Sequence, residues 1–291
     1  LSLHDALPIS GVTNGLDFKP IIAALGGGAF AVTWHGSNGN QDRVFVQRFD
    51  TQGQPAGTPV QLEVPGVSSG EGSNPSLAAL GGGAFAVAWQ EKIGNDPHAF
   101  VQRFDASGNK VGEALTLDVP GNPGAYGSEP KIVALGQDGA FAVTWTGSSA
   151  ADGLCVYVQS FTRAGTPTGT ISQLKAPGVL QGMNLEPQIT ALGHDGAFVV
   201  TWKGNDNSSV NSPDSSIFVQ RFNADGTPFE PSRIYSPNGS VQVQSNEAGA
   251  VYLVHDSVKV GKLVDITGTA DALWNSVAVK AGTSTALTLA G

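Results

Sequence analysis

Four tryptophans recur at nearly constant spacing. Trp34, Trp89, Trp145 and Trp202 are 55, 56 and 57 residues apart, and each closes a copy of one segment. The copies read GGGAFAVTWH at 26–35, GGGAFAVAWQ at 81–90, QDGAFAVTWT at 137–146 and HDGAFVVTWK at 194–203. A fixed period of this size marks a repeat architecture, in which each unit buries its apolar faces only by stacking on its neighbours.

Each unit reads as four strands. Strand a is a short apolar run after a proline: Pro20-IIAAL, Pro75-SLAAL, Pro130-KIVAL and Pro187-QITAL. Proline is tolerated at the first position of a strand. A Gly-rich or Asp-Gly turn leads to strand b, where Phe85, Val87 and Trp89 share one face and Ala84, Ala86 and Ala88 the other. Phe30 and Trp34, Phe141 and Trp145, and Phe198 and Trp202 repeat the bulky face. Both faces are apolar, one large and one small. That predicts a sheet held between two other sheets, because a sheet wetted on one side would alternate apolar with polar. Strand c is VFVQRFD, AFVQRFD, VYVQSFT or IFVQRFN, and a turn with Asp or Asn at its start and Gly three residues on leads to strand d.

Four short-connected strands per repeat make one antiparallel sheet, and radial stacking of such sheets is a β-propeller. The expectation is an all-β fold, a β-propeller of four-stranded antiparallel blades near residues 20–64, 75–119, 130–176, 187–235 and 240–268. These are about five repeats of roughly 55 residues, read as an incomplete ring. The fifth unit is degenerate, with His255 where the tryptophan should fall. Residues 269–291 read as a linker and the start of a following β-domain. Residues 1–10, LSLHDALPIS, fall outside the repeat and resemble the translation of a common sequencing adapter, so the frame is expected to be part of a longer gene.

Composition narrows the partners. Charged residues are 13%, about half the usual share of roughly 25%. The 39 glycines and 17 prolines suit short strands and tight turns. A net charge of −9 disfavours nucleic acid and anionic membrane. No apolar run reaches the 18 or so residues of a membrane-spanning helix. Cys155 is alone, so no internal disulfide is possible.

The repeat form, with the AFAVTW and QRFD segments most specific, resembles modules of very large secreted bacterial repeat proteins of the RTX adhesin and haemolysin type. The resemblance spans about 18–268. It implies export to the cell surface or medium, neighbouring domains in the same longer chain, and a role in attachment or spacing. The calcium nonapeptide of that class, GGxGxDxUx, does not occur here, so calcium has no motif and no cofactor is expected.

No catalytic constellation stands out. Gly66-Val67-Ser68-Ser69-Gly70 matches G-x-S-x-G, but it lies in a Gly/Ser connection without the strand–turn–helix setting of a nucleophile elbow. His35, His98, His194 and His255 lack ligand spacing. Arg48, Arg103 and Arg221 recur at one phase of strand c, forming a ring of equivalents rather than a sialidase-type cluster; each is expected to bridge to a neighbouring blade's carboxylate or carbonyl, with its stem packed on apolar surface. Loops between strands b and c vary while the strands hold, so their rim is the candidate binding face. Asn40, Asp42, Asn95, Asp96, Asp152, Asp206 and Asp214 are its candidate contacts. The leading expectation is a non-catalytic module that binds a surface glycan or protein. A structural spacer comes second. A propeller glycosidase or lyase comes third, and it requires two carboxylates converging near the axis.

Overall fold

The computed structural model describes residues 17–37, 41–67, 70–122, 126–136, 138–149, 151–174, 182–193, 195–205 and 215–229, and the strands at 240–244, 249–254, 274–279 and 284–288. The fifth unit's third strand, residues 1–10 and Ser68 lie outside them. The chain divides into two units, 1–229 and 230–291.

Each tryptophan repeat is an antiparallel meander. Blade 1 is β1 (Asp17–Gly26), β2 (Ala29–Ser37), β3 (Asp42–Phe49) and β4 (Val60–Gln61) in that order. Blade 2 is β5 (Glu71–Ala79), β6 (Phe85–Ile93), β7 (Asp96–Phe104) and β8 (Lys110–Thr116). Blade 3 is β9 (Gly127–Leu135), β10 (Ala140–Ser149), β11 (Gly153–Phe161) and β12 (Pro167–Leu174). Blade 4 supplies β13 (Gly182–Ala191), β14 (Phe198–Asn205) and β15 (Ser215–Phe222), and a short parallel pairing, Gly153 with Gly182 and Leu154 with Met183, joins it to blade 3. The first strands of consecutive blades lie beside one another, so they are the innermost. This is the β-propeller layout of four-stranded antiparallel sheets.

The large and small faces meet as the sequence predicts. Ala86 and Ala88 of blade 2 pack with Phe141, Val143 and Trp145 of blade 3. Ala29 and Ala31 of blade 1 meet Phe85, Val87 and Trp89 of blade 2, and Ala142 of blade 3 meets Phe198, Val200 and Trp202 of blade 4. Within a blade the phenylalanines of strands b and c stack, with ring centroids 4.7 Å apart for Phe30–Phe49 and 4.9 Å for Phe198–Phe222.

The QRFD segment is turn chemistry. Gln47 Nε2 donates to the carbonyls of Arg48, Ala56 and Gly57, and Gln102 makes the same three bonds one repeat later. Asp105 Oδ1 accepts from the backbone N–H groups of Ser107 and Asn109, as Asp50 does from Gln52 and Gln54. The bonds from Asn109 lead in holding the Asp105 carboxyl below its usual range.

The tryptophan indoles find their acceptors by different routes. Trp34 Nε1 donates to Asp17 Oδ1 (3.2 Å) and Trp202 Nε1 to Asn184 Oδ1 (3.2 Å), both on strand a. Gly36 and Gly204 stand opposite those residues, where a Cβ would collide with the acceptor side chain. Blade 2 exchanges the two positions: Gly72 is on strand a, and Glu91, opposite it, accepts from Trp89 Nε1 (3.3 Å). In blade 3 both positions are glycine, Gly127 and Gly147, and Trp145 Nε1 is buried with no hydrogen-bond partner.

Two details differ from the sequence reading. Strand a does not begin at its proline; it starts several residues earlier, at Asp17, Glu71, Gly127 and Gly182, and the proline sits inside a bulge. The fifth unit was expected to run as consecutive paired strands. Instead β16 (Ser240–Gln244) pairs with β19 (Ser284–Thr288), and β17 (Gly249–Val254) with β18 (Trp274–Val279). Among the described residues no helix is long and apolar enough to cross a membrane.

Candidate functional site at the inner strands

Every innermost strand carries the same bulge. Register breaks between Phe18 and Ile21, Ser73 and Ser76, Ser128 and Lys131, and Leu185 and Gln188. Each break holds a residue followed by proline: Lys19, Asn74, Glu129 and Glu186. Their φ values are 49°, 50°, 52° and 56°, and they are the positive-φ non-glycine residues among those described. A residue before proline is normally confined to extended backbone, and left-handed backbone costs of order 1–3 kcal/mol for a side chain such as Glu or Lys. Bulges of this kind re-aim side chains, and they gather next to active sites.

Three of the four positions are joined across blades 1 to 3, and the fourth pairs within blade 4. Lys19 Nζ donates to Asn74 Oδ1 (2.8 Å) across the blade 1–blade 2 boundary. Asn74 Nδ2 donates to Gln90 Oε1 (3.1 Å), which also accepts from the Glu129 backbone N–H (3.3 Å) of blade 3. Lys203 Nζ lies 4.0 Å from Glu186 Oε1 in blade 4. Burial lowers the proton affinity of Lys131, with Glu129 opposing that effect and Lys19 adding to it.

A second set of equivalents follows the tryptophans directly: His35, Gln90, Thr146 and Lys203. His35 Nε2 lies 3.3 Å from Asp42 Oδ2, while its Nδ1 is buried without a partner. Thr146 Oγ1 is also buried without one. These equivalent positions of the inner strands and of the residues after the tryptophans, together with Lys131, carry two carboxyls, three lysines, two amides, a hydroxyl and a histidine. Such a set can hydrogen-bond a polyhydroxylated ligand.

The residues chosen from sequence are placed elsewhere. Asp42 reaches this ring through His35. Asn95 lies in the turn of the β6–β7 hairpin and Asp96 opens β7 opposite Ile93, while Asp152 Oδ2 accepts from Gln173 (3.0 Å). Asn40, Asp206 and Asp214 lie outside the described residues. Two of the repeat arginines reach the next blade with their stems. Arg48 lies along Gly108 and Arg103 along Gly165, each on the next blade's c–d turn, and the Nε of both is buried without a hydrogen bond. The guanidinium of Arg221 sits 4.4 Å from the centroid of the Phe229 ring in its own blade. Turn glycines leave room for the arginine stems, so packing rather than carboxylate pairing fixes these side chains.

A polar groove of about 840 Å³ lies between blades 1 and 2, bordered by Arg43, Glu63, Glu91, Lys110 and Glu113. Its deepest carboxyl is already committed: Glu91 Oε1 accepts from Arg43 Nη1 (3.1 Å) and Oε2 from Trp89. Burial pushes the Glu91 carboxyl up, and Arg43 pulls it back. Cys155 is buried at the phase of Arg43 and His98, with Gln173 Nε2 3.1 Å from its sulfur. Among the described residues no group of three His, Cys, Asp or Glu side chains could hold a metal ion.

No protein-family model and no curated protein matches the sequence. Solved structures do. An endo-arabinase from Bacteroides thetaiotaomicron is 12% identical, covering 77% of this chain and 84% of its own, with a TM-score of 0.41. An α-L-arabinanase from Penicillium chrysogenum complexed with arabinobiose is 15% identical, covering 80% and 72%, TM-score 0.46. An α-L-arabinofuranosidase from Fusarium graminearum with arabinobiose is 13% identical, covering 91% and 81%, TM-score 0.45. By name these neighbours are arabinan-acting enzymes and not attachment modules, so the expectation of a non-catalytic attachment module is set aside. Likeness at this identity concerns architecture, and this chain has the all-β architecture of stacked four-stranded antiparallel blades.

Proposed function

We propose that this chain is a glycan-cleaving propeller whose reaction centre is the inner-strand ring. The observation that carries the reading is the placement of Glu129 and Glu186 at one repeat phase of adjoining inner strands, each in a left-handed bulge. Glycosidic hydrolysis needs one carboxyl to protonate the leaving oxygen and a second to activate water or attack the anomeric carbon, and the gap between them sets the stereochemical outcome. Asn74, Gln90 and the lysines supply donors and acceptors for sugar hydroxyls around that pair. Strain held at four equivalent positions supports the reading, because backbone of this kind persists only where the surroundings over-determine it.

The test is release of new reducing ends from a panel of arabinan, xylan, pectic and β-glucan polymers by the intact chain. Release from at least one polymer is expected, with a loss of about 10²–10⁴-fold in the double variant Glu129→Gln/Glu186→Gln at an unchanged melting temperature. Absence of release across the panel, or full activity in the double variant, refutes the reading.

A further inference from the structure

On the rim formed by the a–b and c–d turns, one blade boundary differs from the others. At the second position of the c–d turn blades 1, 2 and 4 carry Thr51, Ala106 and Ala224, whereas blade 3 carries Arg163. The Arg163 stem passes Gly139 of its own blade's a–b turn, where a Cβ would lie 3.0 Å from both its Cγ and the Leu80 carbonyl oxygen of blade 2. Its Nη2 reaches the a–b turn of blade 2, 4.0 Å from where a Cβ on Gly82 would stand. Arg103 crosses the same boundary in the other direction, its Cδ 2.9 Å from where a Cβ on Gly165 would stand. Burial lowers the proton affinity of Arg103, and the like charge of Arg163 lowers it further. Blade 3 also lacks the turn carboxylate: Thr162 stands where blades 1 and 2 have Asp50 and Asp105, and its Oγ1 accepts the same backbone bond, from Thr166 (3.2 Å). Asp138, beside Gly139, accepts from the Ala140 backbone N–H (3.2 Å). Among the described residues neither guanidinium has a hydrogen bond or an ion pair. The next boundary has no such pair, because Ser160 of blade 3 stands against Gly226 where Arg103 stands against Gly165.

We propose that Arg103 and Arg163 form an oxyanion site that holds the carboxylate or sulfate groups of an acidic polysaccharide. Two like charges side by side, in a chain with 24 acidic and 15 basic residues, are stabilised by an anion that the protein itself does not supply there. Guanidinium is suited to that anion, since its planar fork of N–H donors matches the paired oxygens of a carboxylate or sulfate. A net charge of −9 disfavours nucleic acid, whose phosphates need many cations at once, and leaves a polymer of sparser charge. The choice of a polysaccharide rests on the glycan-cleaving reading above, whereas the oxyanion chemistry stands on the two arginines. The site is separate from the inner-strand ring: β9 runs from the bulge at Glu129 to the a–b turn beyond Leu135, about 20 Å at the usual strand rise.

Native electrophoresis of the intact chain through gels cast with polygalacturonate, dextran sulfate, neutral arabinan or single-stranded DNA tests this without calling on cleavage. The wild type is expected to be retarded by polygalacturonate, by dextran sulfate or by both, and the gel that retards it identifies carboxylate or sulfate as the group held. Arg163→Ala restores the residue found at Ala106 and Ala224. It is expected to fold normally and to weaken that retardation by about tenfold. In neutral arabinan the wild type and Arg163→Ala are expected to migrate alike, since any retention there belongs to the inner-strand ring. Arg163→Glu is expected to abolish retardation by the acidic polymers and to raise the melting temperature at low salt, because an ion pair with Arg103 replaces two like charges. Equal retardation of the wild type and Arg163→Ala, or no retardation of the wild type by either acidic polysaccharide, overturns the proposal. So does retention by DNA in place of both, or a melting temperature that falls in Arg163→Glu.

Discussion

At the blade interfaces the repeat preserves both backbone and side chain. Phe, Val and Trp return at each bulky face, and Ala, Val or Thr at each small one. At the inner strands it preserves the backbone and changes the side chain: Lys19, Asn74, Glu129 and Glu186 share one φ within a few degrees, yet three residue types occupy the four places. His35, Gln90, Thr146 and Lys203 diverge at the next ring of equivalents. A packing position has one good solution, so copies keep it. A reaction centre needs unlike groups from successive blades, so it appears where equal scaffold positions carry unequal chemistry.

The sharpest separation between the two regions is in stability. Trp89→Ala removes a fully buried indole and is expected to lower unfolding free energy by ~3–5 kcal/mol in a denaturant melt. Glu129→Gln and Glu186→Gln are expected to leave that melt where it was. A Trp89→Ala loss under about 1 kcal/mol would erase the distinction.

The Arg43–Glu91 pair ties blade 1 to blade 2, and its contribution has a definite pH sign. Burial raises the folded-state pKa of Glu91 above its unfolded value, and Arg43 opposes the rise. A raised group contributes stability that is fully present below the unfolded pKa and is lost as pH rises through the folded pKa. Arg43→Met removes the opposing charge. The variant is therefore expected to melt near the wild type at pH 4 and to fall behind by ~3 kcal/mol or more by pH 8. A deficit that shrinks with rising pH would mean that Glu91 is not the buried partner.

A smaller effect distinguishes the tryptophans themselves. Trp89→Phe leaves Glu91 Oε2 without its indole donor, whereas Trp145→Phe discards an N–H that has no partner. The first is expected to be the more damaging by ~1–2 kcal/mol in paired melts. Equal losses would place an acceptor at Trp145 Nε1.

The smallest effect bears on strain. Glu129→Gly relieves the left-handed backbone and is expected to stabilise the fold by ~1 kcal/mol while abolishing glycan cleavage. A destabilised variant would show that the Glu129 side chain serves packing.

The interfaces were legible because period-two alternation of Phe85, Val87 and Trp89 against Ala84, Ala86 and Ala88 is repeated in every unit. The ring was hidden for the opposite reason. Its members vary in type, and a residue before proline ordinarily reads as extended chain rather than as a bulge. The available signal was positional: a polar residue before each strand-a proline, and one after each tryptophan. The variable loops carry carboxylates of a plainer kind: Asp96 opens a hairpin strand and Asp152 accepts from a neighbouring side chain. Arg48 and Arg103 were recognisable as scaffold, but glycine-lined turns in the following blade, far away in sequence, decide that they pack rather than pair.

Glycan cleavage by four single variants, two on the ring and two on the loop rim, tests the central claim most directly. Initial rates of reducing-end release are compared for Glu129→Gln, Glu186→Gln, Asp96→Asn and Asp152→Asn, with melting temperatures recorded for each. The account predicts losses of about 10²-fold or more in the first pair and rates within about twofold of wild type in the second. Loss confined to Asp96→Asn and Asp152→Asn, with the two glutamate variants fully active, would contradict it.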